Sequence, residues 1–290
     1  MNRKNIRKLG GRSKSSKTCL FISDIHDGHN NAVSTLHPYK RDGQHELKLN
    51  EDMQDVHYHW CNMIDKRQKR CYDFLSINGE PVEGEHRKTA GKGTWSNDIL
   101  DQIADFDKLS RMINYTKFAL TVGSGYHITI GNSTSDDIVT ENLSKRGTNL
   151  MIDKNGKPIQ NYFINVDIGG RLFSITHHIR SSTIQSYRST PLASEAAGLQ
   201  FLKGKLYPHE RDIDVILRGH IHYYWQHDSG HQLAFVTPSW KLWDEYLLKG
   251  GLQGQFNHIG GLEIIVEPNG EIKWRKHLIE KYPIPQILYV

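Results

Sequence analysis

The stretch Cys19-Leu-Phe-Ile-Ser-Asp24-Ile-His26-Asp-Gly-His29 is an apolar run that stops at an Asp-x-His pair. Far down the chain, Asp214-Val-Ile-Leu-Arg-Gly-His220-Ile-His222 repeats the pattern. Open α/β sheets build sites from strands that deliver polar groups at their C-terminal ends. Two such strands, one near each end of a globular chain, imply a single metal centre assembled by the fold. In a strand, residues i and i+2 point to the same side. Asp24 can therefore converge with His26, and His220 with His222 if strand geometry persists.

Working outward from the first run, residues 51–70 read as a helix, with acids leading and Lys/Arg closing, as the helix dipole favours. Residues 72–77 form a second apolar run that ends at Asn78-Gly79-Glu80. Residues 97–115 carry Ile99, Leu100, Ile103, Phe106, Leu109 and Ile113 at helical spacing. Residues 117–122 make a third run, ending at Gly123-Ser-Gly-Tyr-His127. This β–α–β–α–β order is that of parallel strands with crossover helices. The alternation at 46–50 allows a short edge strand, and 84–94 read as a Gly- and Lys-rich loop. A helix is expected over 136–145, then strands 159–166 and 171–176, the second ending at His177-His178. A helix over 194–202 leads into the Asp214 run. Strands 233–237, 261–267 and 271–277 close the chain, with Pro268-Asn-Gly270 as a hairpin turn.

The 290 residues can bury a sizeable core, and nothing approaches the ~18 consecutive apolar residues of a membrane helix. Residues 1–17 hold seven Lys/Arg and no acid, and they lack the apolar core of a secretory signal. They read as a basic disordered tail. They also more than account for the net charge of +5, so the body is close to neutral. Residues 18–290 read as one domain. Cys19, Cys61 and Cys71 form no zinc spacing, and with no signal they suit reduced thiols in a cytoplasmic protein. Histidine, at 17, is in excess, which favours metal chemistry.

Five strand ends thus carry candidate ligands: Asp24 and His26; Glu80; Tyr126 and His127; His177 and His178; His220 and His222. Carboxylates with imidazoles form a hard-to-borderline set suited to Mn, Fe or Zn. The order Asp-x-His, acidic Gly-rich turn, Gly-x-x-x-His, strand–His and Gly-His-x-His resembles the calcineurin-like metallophosphoesterase superfamily over residues 18–222. The resemblance implies a four-layer α/β/β/α sandwich of two facing mixed sheets. It implies two divalent metal ions, with Mn the first choice in vitro. Asp24, His26 and His222 would hold one, His177 and His220 the other, and Glu80 would bridge them. His127 would act on the leaving group.

The chain departs from the family pattern twice. The bridging Asp of the second motif is Glu80 here, with Glu83 as the alternative. The Asn of the third motif has no clear equivalent in Gly123-Ser124-Gly125-Tyr126-His127. His29 and His178 lie close enough to the motifs to support the ligands from behind. Either His177 or His178 can be the ligand of its strand end.

The reaction implied is phosphoester hydrolysis by a metal-bound hydroxide attacking in line, with Arg180 a candidate phosphate contact. The substrate expected is a nucleotide or nucleic-acid phosphodiester, as in a nuclease of phage type. The basic tail and Tyr223-Tyr-Trp225, whose rings could stack on bases, suit it. A phosphomonoesterase, a protein phosphatase or a metal-binding scaffold without turnover are the alternatives. No membrane partner is expected.

Overall fold

Nearly continuous burial along the apolar runs marks strands covered on both faces. A computed structural model describes residues 13–38, 47–65, 71–85, 91–125, 127, 129–130, 133–182, 184–206, 212–243 and 257–281. The first sheet contains β1 (Lys17–Ile22), β2 (Tyr72–Asn78), β3 (Tyr115–Thr121) and the short β6 (Thr148–Asn149). It is completed by β12 (Asn257–Val266) and β13 (Ile272–Lys281), in the order β13-β12-β1-β2-β3-β6. Strands β1, β2, β3 and β6 run parallel, and β12 and β13 add antiparallel. The second sheet orders β10 (Trp225–Asp228), β11 (Leu233–Val236), β9 (Val215–Arg218), β8 (Arg171–Thr176) and β7 (Phe163–Ile168). Its inner three strands are parallel and both edges antiparallel. Between β3 and β6 lie a two-residue pair, β4 (Thr129–Ile130) and β5 (Ser133–Thr134).

Successive residues of a strand face opposite sides. In β1, Leu20 and Ile22 join Val56, Trp60, Ile103, Phe106 and Val139, under helices α1 (Glu51–Asp65), α2 (Ile99–Ser110) and α3 (Ser135–Ser144). Cys19 and Phe21 face the other way, onto Phe173, Ile175, Val215 and Leu217 of the second sheet. Phe21 and Phe173 stack with ring centroids 5.8 Å apart. On the far side, Ile216, Ala234 and Val236 pack against Leu192 and Ala196 of α4 (Thr190–Leu206). The molecule is therefore the four-layer α/β/β/α sandwich of two mixed sheets that the sequence leads one to expect.

Some expectations change. Helix α2 ends at Ser110 with Arg111 as its C-cap, because the Tyr115–Thr121 run is taken by β3. Residues 47–50 form no strand; Leu49 instead packs with Met53 and Trp95. The basic tail lies outside the described residues as far as 12, and Lys17 already belongs to β1, paired with Asp73 at 2.8 Å. Residues 66–70 and 86–90 and Tyr126 also lie outside them. Tyr223 and Tyr224 are buried, so they are packing residues rather than a base platform. Trp240 is likewise buried, edge-on to Trp60 at 4.7 Å. Among the described residues no helix is long and apolar enough to cross a membrane.

Candidate metal centre

The parallel strands β1, β2, β3, β8 and β9 all end on one side of the sandwich, and there the backbone turns sharply. Among the described residues, five non-glycines have positive φ: Asp24, His26, Glu80, His220 and His222, between 49° and 72°. All five are expected ligands. Left-handed backbone is unfavourable for non-glycine residues and collects where a site over-determines it. Convergence of Asp24 with His26, and of His220 with His222, therefore comes from these turns and not from strand periodicity.

The turns are held by main-chain bonds between the loops. Asp24 N–H donates to Gly79 O (3.3 Å), and Ile25 and His26 N–H both donate to Glu80 O (2.9 and 3.0 Å). Gly219 N–H donates to His177 O at 2.9 Å, tying the ends of β8 and β9. Two glycines give the side chains room. A Cβ on Gly79, which has φ +80°, would overlap the His177 ring, and one on Gly219 would overlap Ser23 Oγ.

The groups meet as follows. Asp24, His26, Glu80 and His222 each offer a ligand atom within 4.8 Å of the others; His177, His178 and His220 form a second such set. Glu80 joins the two. Its Oε2 lies 2.9 Å from His26 Nε2 and its Oε1 3.3 Å from His177 Nε2. Asp24 Oδ1 lies 3.3 Å from His222 Nε2 and 3.9 Å from His177 Nε2. His177 Nδ1–H donates to Asn78 O at 2.6 Å, which turns Nε2 into the site. Asp24 Oδ2 is occupied by Ser23 Oγ–H and His220 N–H.

This donor set fits divalent ions. His222 Nδ1 is buried with no hydrogen-bond partner, and Asp24 Oδ1 and His177 Nε2 are buried with 3.3 Å contacts to other members of the cluster, an arrangement that coordination would relieve. Carboxylate oxygens with imidazole nitrogens suit Mn, Fe or Zn.

Two residues take roles that the sequence left open. Glu83 does not replace Glu80 but stands behind it, with Oε2 2.7 Å from His26 Nδ1 and both oxygens 3.3 Å from Lys241 Nζ. Such a carboxylate fixes the ring of a metal-binding histidine. Ser124, in the turn after β3, directs both its N–H (3.1 Å) and its Oγ–H (2.5 Å) to Glu80 Oε1. His127 Nδ1–H donates to Glu83 O at 2.5 Å, and its ring stands edge-on to His26 at 4.8 Å. His26, Glu83 and His127 form a third set of potential ligands, and Arg180, which is exposed, belongs to none of the three. His29 also lies outside them, its Nδ1 accepting from Asn31 N–H. The Glu80-x-x-Glu83 spacing and the His177-His178 doublet were the available signals; nothing local marked Lys241.

Burial opposes charge throughout the centre, and mutual pairing overrides it at five groups. His177 and His222 hold the Asp24 carboxyl well below its usual range despite burial. Glu80 is held low against burial by His127, His177 and His26, and Glu83 by Lys241 and His26. Burial and Lys241 disfavour the His26 cation, but Glu80 and Glu83 outweigh them and push it up to about 9. Glu80 and Asp24 similarly overcome burial at His177, which also rises to about 9.

At pH 7 both imidazoles are thus protonated in the metal-free chain, whereas a metal needs their neutral form. Loading is expected to release about two protons at pH 7, and affinity is expected to climb as pH rises towards 9. Calorimetry in buffers of different ionisation enthalpy measures this; a heat independent of buffer would contradict it.

No family model and no curated protein matches the chain. Solved structures of similar fold include zinc-complexed Vps29 from Entamoeba histolytica (11% identity, TM-score 0.42, covering 91% of this chain and 98% of that one). A predicted phosphoesterase from Streptococcus pneumoniae has 9% identity and TM-score 0.36, covering 91% of this chain and 99% of that one. An archaeal phosphodiesterase has 16% identity and TM-score 0.39, covering 89% and 99%. In motif order and layer architecture the chain resembles the calcineurin-like metallophosphoesterases.

Proposed function

We propose that this protein is a metal-dependent phosphoester hydrolase with a dinuclear centre. The observation that carries the reading is Glu80, whose two carboxylate oxygens reach His26 and His177 in the two separate ligand groups. Asp24, His26 and His222 would hold the first ion, His177 and His220 the second, with Glu80 between the two groups. Two such ions would supply charge neutralisation for the phosphoryl oxygens and a nucleophile at neutral pH. Glu83 keeps His26 Nδ1 occupied, so Nε2 is the ligating atom. His127 is anchored through Nδ1–H, and burial lowers its pKa, so its bare Nε2 would take the proton that the attacking water loses and pass it to the leaving oxygen. Arg180 contacts the phosphate from the exposed loop.

The substrate is a nucleotide or nucleic-acid phosphodiester. Tyr162 and Phe163 are 55% and 74% exposed. Phe163 is in register with Thr176, the residue before His177. Asn161 O accepts from Val122 N–H, at the end of the strand that leads to Ser124. Two large rings left in water beside the site suit stacking on bases. Phe163→Ala is expected to raise KM for a single-stranded oligonucleotide about tenfold with kcat unchanged, from the ~1–3 kcal/mol of one base–aromatic stack. An unchanged KM would remove the ring from substrate binding.

The test of the substrate class is a panel of single- and double-stranded DNA and RNA, nucleotides and phosphomonoesters, incubated with Mn²⁺. Cleavage of oligonucleotides or cyclic nucleotides is expected. Turnover confined to phosphomonoesters would favour a phosphatase.

A further inference from the structure

Ser124, in the turn where the resemblance leads one to expect an amide ligand, spends both its N–H and its hydroxyl on Glu80 Oε1. His178 stands against both His177 and His220. Its ring centroid is 4.9 Å from that of His177 and 4.9 Å from that of His220. His177 and His220 are themselves 5.2 Å apart. One ring nitrogen from each of the three lies within 4.8 Å of the others. His177 Nε2 is buried there, 3.3 Å from Glu80 Oε1, its Nδ1 being committed to Asn78 O. Tandem strand residues ordinarily diverge, but His178 follows the end of β8, where the chain leaves the sheet.

We propose that His178 is a ligand of the second ion, which is held by the three imidazoles of His177, His178 and His220 together with Glu80. This rests on the dinuclear reading above and goes beyond it in ligand set and metal preference. The first position has two carboxylates, Asp24 and Glu80, and two imidazoles, His26 and His222. The second has one shared carboxylate and three imidazoles. Imidazole-rich sets favour borderline ions, whereas carboxylate-rich ones accept harder ions. The second position therefore selects zinc or another borderline ion over manganese, and the two positions differ in preference.

The experiment uses the full chain, stripped with chelator and titrated with Zn²⁺ against a chromophoric competitor. The wild-type chain is expected to take up two ions. His178→Ala is expected to keep the first and to bind the second at least about tenfold more weakly. His178 is exposed, so its thermal melt in chelator should match the wild type. X-ray absorption on the zinc-loaded proteins should show fewer imidazoles per ion in the variant. A variant that binds both ions with wild-type affinity overturns the role of His178 and leaves the dinuclear centre standing. A wild-type chain that binds fewer than two ions overturns both.

Discussion

Glu80→Gln is expected to lower kcat for phosphodiester hydrolysis about a thousandfold or more, close to 4 kcal/mol of barrier. Glu80 reaches both ligand groups with separate oxygens, at 2.9 Å from His26 and 3.3 Å from His177. Gln keeps the size but removes the charge and half of the ligating capacity, so two adjacent cations lose their shared anion. The backbone bends for this carboxylate, with φ +53° following Gly79 at +80°. Glu80→Asp asks a different question. It keeps the charge and withdraws it by one methylene from a backbone built around Glu. It is expected to retain one ion and lose most of the activity. Metal content and steady-state rates, measured together, separate charge from length. A Glu80→Gln enzyme within tenfold of wild type would show that the bridge is not needed for turnover.

Lys241→Met is expected to destabilise the fold by about 3–5 kcal/mol, the cost of leaving one partner of a buried ion pair uncompensated. Lys241 and Glu83 are each 2% exposed, and Nζ lies 3.3 Å from both carboxylate oxygens. Without Lys241, Glu83 stays buried among the imidazoles of His26, His29 and His127. Removing both charges at once, in Lys241→Met with Glu83→Gln, is expected to recover most of the loss, because neither buried charge remains. Urea unfolding in the presence of chelator isolates this effect from metal binding. A single Lys241→Met change costing less than about 0.5 kcal/mol would mean that water already reaches Glu83.

Much of this was legible because the central strands are short, nearly continuous apolar runs, buried on both faces. Leu20 and Ile22 against Cys19 and Phe21 assign both faces of β1, and the residues following each strand give the ligands in order. The reason for their convergence was not legible. Asp24 and His26 meet through left-handed turns, and strand periodicity would not have placed them at these angles. Short elements escaped for want of a window: β6 has two residues, and β10 is a polar edge, Trp-Gln-His-Asp. The Tyr223-Tyr224 pair looked like a platform because sequence shows chemistry and not burial. The pairing of Glu83 with Lys241 joins residues 158 apart and depends wholly on the closed fold. His178 could be seen beside His177 but not aimed, since its direction is set where β8 ends.

The most direct measurement is metal content against turnover in a single preparation. Purified full chain is loaded with Mn²⁺ or Zn²⁺, freed of excess, assayed by mass spectrometry for metal, and tested on bis-p-nitrophenyl phosphate beside His220→Ala. The expected result is two ions per chain with hydrolysis that chelator abolishes and metal restores. His220→Ala is expected to have one ion and no turnover. A wild-type chain that carries no ions, or carries two and hydrolyses no phosphoester with any divalent metal, would contradict the account.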